Sequence, residues 1–151
     1  MIARLVSDAI VGLRQDSIGN ERATMKESGQ FRRGITLFNA GKFFEAHEVW
    51  EELWLEETLP EKTFLQGLIQ VAAAFHHHLR GNSRGHRSLL AAGLAKLEQF
   101  SDEHSGIALA KLRTDAREWV PTPGDGKEGR LPKMPRIRLV TRGVRKSKRG
   151  G

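Results

Sequence analysis

The sequence predicts an all-α protein. It reads as an antiparallel helical bundle of about five to six helices with a basic, mostly irregular C-terminal tail. Three observations predict this. Apolar residues recur at helical spacing from Ile2 to Trp119. Stop and cap signals fall between those stretches. No alternating run of useful strand length occurs before residue 136.

Each element follows from its residues. Ile2, Leu5, Val6, Ala9, Ile10 and Leu13 predict an amphipathic helix over 2–14, and polar residues 15–27 read as a linker. Phe31, Ile35 and Phe38 mark a second helix, which Asn39-Ala40-Gly41 stops. A third helix near 43–56 carries Ala46, Val49, Trp50, Leu53 and Trp54 on one face. Thr58-Leu59-Pro60-Glu61 reads as a capping box opening a long fourth helix that ends at Gly81. Asn82 caps the fifth, whose stripe is Leu90, Leu94, Leu97 and Phe100. Leu109, Leu112, Ala116 and Trp119 predict a sixth, stopped by Pro121 and Pro123. The expected divisions are 1–27 for the N-terminal helix and linker, 28–120 for the bundle and 121–151 for the tail.

Composition excludes several classes. The chain of 151 residues contains no Cys, so it has neither disulfides nor thiolate metal sites. No apolar run is long enough for a transmembrane helix. Arg4, Asp8 and Arg14 interrupt the apolar N-terminal stretch, so no signal peptide is read and the cytoplasm is the expected compartment. The net charge of +7 is unevenly placed. Residues 127–151 hold ten Lys and Arg against Glu128, a local charge of +9 that leaves the rest of the chain at −2. Such a tail is either a solvated terminus or a phosphate-contacting segment, with Arg142, Arg145, Lys146, Lys148 and Arg149 as the candidate nucleic-acid contacts. It holds no stacking aromatic. Arg136 to Val140 alternates charged and apolar residues and suits an extended path along the bundle.

Two helices carry the candidate chemistry. With Glu45 at zero on a helical wheel, His47 and Glu51 fall near about 200° and 240°, at the edge of the apolar stripe. They are i, i+4 neighbours. His47-Glu48-x-x-Glu51 is similar to the zincin helix, in which two ligands hold a metal and the intervening Glu acts as base. Glu48 lies about 60° further round, which weakens that role. On the next helix Gln66, Gln70 and His77 form one polar line, while His76 and His78 point elsewhere. If the two helices pack antiparallel, His47, Glu51 and His77 form a two-His-one-carboxylate set for one divalent Mn, Fe or Zn. The same residues also suit a buried polar network that fixes helix register, the reading the sequence favours.

These residues also carry a family resemblance. Leu37-Phe38-Asn39-x-Gly41-x-Phe43-Phe44-Glu45-Ala46-His47-Glu48-x-Trp50-Glu51-x-x-Trp54 resembles the signature of the family titled domain of unknown function 309. Gln66-Gly67-Leu68-Ile69-Gln70-x-Ala72, His77 and Arg80-Gly81-Asn82-x-x-Gly85 continue it, over roughly 28–100. The resemblance implies an all-helical, prokaryotic-type bundle and metal-dependent hydrolysis. It maps the polar pattern onto Glu45, His47, Glu48, Glu51, Gln70, His77 and Asn82.

Three functions are therefore expected in competition. In a metal-assisted hydrolase, His47, Glu51 and His77 ligate and Glu48 activates a bound water. Glu45, Gln66, Gln70 and Asn82 support that site, and the substrate is an unidentified small molecule. In a non-catalytic interaction bundle the same cluster is structural and the partner is a protein. Leu37 to Glu51 also resembles a tetratricopeptide hairpin, although one hairpin is not an array. Nucleic-acid association through the tail is the third. Assembly with further copies of the chain is compatible with all three.

Overall fold

The computed structural model describes residues 24–121 and 130–140. The expected helix at 2–14 and the tail cations Arg142, Arg145, Lys146, Lys148 and Arg149 lie outside the described residues. After a 3-10 turn (Met25–Glu27) come α1 (Gly29–Asn39), α2 (Phe43–Leu55), α3 (Glu61–Leu79) and α4 (Ser83–Leu97). A short hairpin follows, β1 (Glu103–His104) and β2 (Ile107–Ala108), and then α5 (Leu109–Arg117). The helical bundle is therefore observed, with boundaries close to those the periodicity predicts.

The helices pack as successive hairpins. Phe38 meets Phe43 beside the first turn, and Phe31 meets Trp50 at the far end of the same pair. The Trp50 indole N–H donates to the Phe31 carbonyl at 3.1 Å. A Cβ on Gly34 would collide with the Trp50 ring, so glycine permits this close approach. α3 is antiparallel to α2, with Phe43 against Phe75 at one end and the Lys62 ammonium over the Trp54 ring at the other. It is the central helix, buried on most sides through Phe64, Leu65, Leu68, Val71, Ala72 and Phe75. Where α3 meets α4, a Cβ on Gly93 would stand 2.9 Å from the Gly67 carbonyl oxygen, so two small residues set that separation.

Three features depart from the sequence reading. The Thr58–Glu61 capping box does not form, and Pro60 precedes α3 with no side-chain cap. The Glu61 carboxylate instead accepts from His104 Nε2 at 2.9 Å and from the Ser105 hydroxyl at 3.1 Å. Two donors from the hairpin thus take the carboxylate that the box required. The hairpin itself was not expected. Its turn uses Ser105 and Gly106, both at positive φ (50° and 82°), and its strands are too short to show alternation.

The third departure is the buried face of α2. Phe43, Ala46, His47, Trp50 and Glu51 are buried, whereas Val49 and Leu53 are only half-buried. Phe43, at about 160° on the wheel, draws the buried arc toward His47. The pair expected at the edge of the core therefore lies inside it.

Residues 130–140 belong to the fold. Ile137 is 3% exposed and joins the core. The segment runs extended across the bundle, as the Arg136–Val140 alternation suggests. Leu139 bridges Ile107, Ala108 N–H donates to the Arg138 carbonyl at 2.9 Å, and Val140 N–H donates to the Gly106 carbonyl at 2.8 Å. We call residues 130–140 the strap.

Candidate functional site

The motif residues resolve into four surroundings. The first is the His47–Glu51 pair. One turn of α2 separates the two residues, and His47 Nε2 stands 3.7 Å from Glu51 Oε2, with both side chains 9% exposed. The Phe44 ring stacks on the His47 ring with centroids 5.6 Å apart, and its other neighbour is the ring of His76 at 5.1 Å. Burial and the nearby Arg80 and His77 charges lower the pKa of His76, so this imidazole resists protonation. Gln70 and Gln66, on α3, are half-buried. The Gln70 side-chain oxygen is buried without a hydrogen-bond partner among the described residues.

The second surrounding is the turn between α3 and α4. The Asn82 side-chain oxygen accepts from Gly85 N–H at 3.0 Å, which is the cap expected for α4. The Asn82 amide nitrogen lies 3.0 Å from His77 Nδ1. His77 is thereby tied to the turn that starts α4.

The third is an open groove of about 510 Å³ between α1 and α2. Gln30, Arg33, Glu45, Glu48, Val49 and Glu52 line it. Gln30 spans the two helices, donating to the Val49 carbonyl at 2.9 Å and to Glu52 at 3.2 Å. Glu45 and Glu48 thus face α1, and neither His47, Glu51 nor His77 lines this groove.

The fourth surrounding is that of His86, which the sequence groups with Arg80 and Arg84 as solvated turn charge or an anion contact at the start of α4, and which the structure buries. His86 is 7% exposed, and its Nδ1 lies 3.0 Å from the Ala74 carbonyl oxygen. Only a protonated Nδ1 donates there, which fixes the neutral tautomer and leaves Nε2 a buried acceptor without a partner among the described residues. Phe75, His78 and Trp119 ring it. Burial, chiefly, holds its pKa below the ordinary value of 6.5.

The structure thus brings His47 and Glu51 together. It places His77 with Asn82, and Glu48 with Glu45 and α1. Among the described residues no three His, Asp or Glu side chains are grouped so as to hold a metal ion.

A further contact involves Asn39, read from the sequence as part of a helix stop and of the family signature. The Asn39 amide nitrogen donates to the Ile137 carbonyl at 2.9 Å, and its side-chain oxygen accepts from Ile137 N–H at 2.7 Å. One side chain satisfies both main-chain groups of an extended residue 98 positions away. Trp119 holds the other end of the strap, donating from its indole to the Lys133 carbonyl at 3.0 Å. Sequence separation hid this contact, because no local pattern links 39 to 137.

Comparison with known proteins places the motif. The chain is 30% identical over 107 residues to an uncharacterized protein of Aquifex aeolicus (strain VF5), a stretch that is 70% of this chain and 32% of that protein. It is 39% identical over 66 residues to the uncharacterized protein YpuF of Bacillus subtilis (strain 168), covering 43% of this chain and 36% of YpuF. The chain therefore spans about a third of the length of these relatives. Residues 31–89, the stretch holding Asn39, His47, Glu51, Gln70, His77 and Asn82, match the family described as "Domain of unknown function (DUF309)".

Proposed function

We propose that the chain is a non-catalytic protein-interaction module that recognises extended main chain. The Asn39 bracket on Ile137 carries this reading. An amide side chain that pairs with both the N–H and the C=O of one residue reads backbone, not side chain. The edge of β2 adds main-chain pairing, and the buried site of Ile137 takes one apolar residue. In this chain the strap fills that place. On this reading the His47–Glu51 pair, Gln70 and the His77–Asn82 link fix the register of α2, α3 and α4. The share of the relatives that the chain covers, about a third, fits a module used within longer proteins. The test is to nick the chain enzymatically at a site introduced within 122–129 and add a fluorescent peptide spanning 131–140. Saturable binding that displaces the native segment is expected. A folded, nicked chain that gives up its strap and takes up no peptide ends the reading.

A second reading is metal-assisted hydrolysis with one divalent ion. One observation favours it, the buried His47–Glu51 pair on a single helical face. The expected third ligand, His77, lies 3.0 Å from the Asn82 amide through its Nδ1, and the expected base, Glu48, lines the groove beside α1. Protein purified without an affinity tag or chelator, carrying about one metal per chain that His47→Ala removes without unfolding, supports this reading over the first.

A further inference from the structure

We propose that the outer face of the strap is a contact surface for the phosphodiester backbone of nucleic acid. The strap is pinned at both ends, by Trp119 on Lys133 and by the Asn39 bracket with the β2 pairing on 137–140. Its inward side chains are Pro135 and Ile137, and Met134 is half-buried. The alternation then turns Arg136 and Arg138 outward, and both are exposed, as is Lys133 before the buried pair. No ion pair among the described residues engages them.

Arg136 is steadied by donating from Nη1 to the Asn39 carbonyl at 3.3 Å. Side chains two residues apart on an extended strand stand about 6.6 Å apart, the scale on which phosphates succeed one another along a strand. Lys111 of α5 joins these cations around one groove of about 460 Å³. Asp115 and Glu118 are the acids at that groove, and Asp115 is held by Lys111 at 2.8 Å.

Mounted cations differ from a loose basic tail. A fixed guanidinium presents a planar fork that matches phosphate oxygens in pairs, whereas an ammonium acts as a point charge. The strap carries two guanidiniums two residues apart, of which Arg136 is held by Asn39, and the sequence continues into Arg142, Arg145, Lys146, Lys148 and Arg149. An anionic lipid surface is a poorer match. Leu131 and Leu139 are the exposed apolar side chains of the strap, at its two ends, and they form no continuous apolar face.

The experiment is fluorescence anisotropy of a labelled single-stranded RNA and a duplex DNA of mixed sequence, titrated with full-length chain over a salt series. Arg136→Ala/Arg138→Ala is expected to weaken binding by about tenfold at low salt and to flatten the dependence of log affinity on log salt by about 1–2. Arg136→Lys/Arg138→Lys, which keeps the charge, is expected to recover only part of that loss. The exposed pair Arg84→Ala/Arg87→Ala on α4 is the control and leaves binding unchanged. Circular dichroism, and the fluorescence of Trp119 in a Trp50→Phe/Trp54→Phe background, confirm that each variant keeps its fold and strap. The proposal is overturned if neither nucleic acid binds. It is overturned equally if the Lys variant matches the parent chain while phosphatidylserine vesicles bind as tightly, or if removing 141–151 abolishes binding that the strap substitutions leave intact.

Discussion

His47 and Glu51 sit within the packed face of α2, and that position decides what their loss does. Removing the imidazole leaves a buried carboxylate without its i, i+4 neighbour. His47→Ala is therefore expected to cost about 2–3 kcal/mol in urea unfolding, and Glu51→Gln under about 1 kcal/mol, because the amide keeps its hydrogen-bonding capacity. Unchanged stability in His47→Ala shows that the pair does not hold the fold. His86 gives a second prediction at this scale. Its folded pKa lies below 6.5, so the unfolded chain binds the proton first. Its contribution to stability is fully present above about pH 6.5, falls as pH drops below it, and stops changing once the buried imidazole is itself protonated. Stability is expected to be lower at about pH 5.5 than at about pH 8, with a shallower slope in His86→Gln. The sequence showed that His47 and Glu51 share a face, because i, i+4 spacing is local. It did not show that His77 pairs with Asn82, that Glu48 faces α1, or that Asn39 reads Ile137. Those relations depend on how helices rotate against one another.

Helix existence and order were legible because each apolar stripe is long enough for its period to be read. The α1–α2 pair illustrates what the period leaves out. Gly34 looks neutral in the stripe, yet the Trp50 indole occupies the place of its missing Cβ. Gly34→Ala is expected to destabilise the chain by about 1–3 kcal/mol and to separate Phe31 from Trp50, read as a lowered unfolding temperature with altered Trp emission. The hairpin was illegible because two residues per strand carry no period. What places it is Glu61, which binds His104 and Ser105 across more than 40 residues. Glu61→Gln keeps one acceptor and is expected to cost about 1 kcal/mol, with faster amide exchange in 103–108 and little change in α1. Equal exchange in both chains removes Glu61 from that role.

At the scale of the whole molecule, a bundle of modest size carries a segment of its own chain as if it were a ligand. The strap joins α1, the hairpin and α5 through Asn39, Ile107 and Trp119. Charge follows the same division, with a near-neutral body and the excess of cations in and after the strap. The charge asymmetry was visible in composition alone, but the seat of the strap was not, since Asn39 and Ile137 lie far apart in sequence. No helix among the described residues is long and apolar enough to cross a membrane. The motif at 31–89 then supplies both halves of the proposed module, a polar set that holds helices in register and an amide that reads main chain. The most direct measurement is the affinity of the nicked chain for its own 131–140 peptide, with Asn39 and with Asn39→Ala. Saturable binding that weakens by about tenfold or more in Asn39→Ala, as the loss of two main-chain hydrogen bonds requires, is the expected result. Equal affinity in the two chains would contradict it.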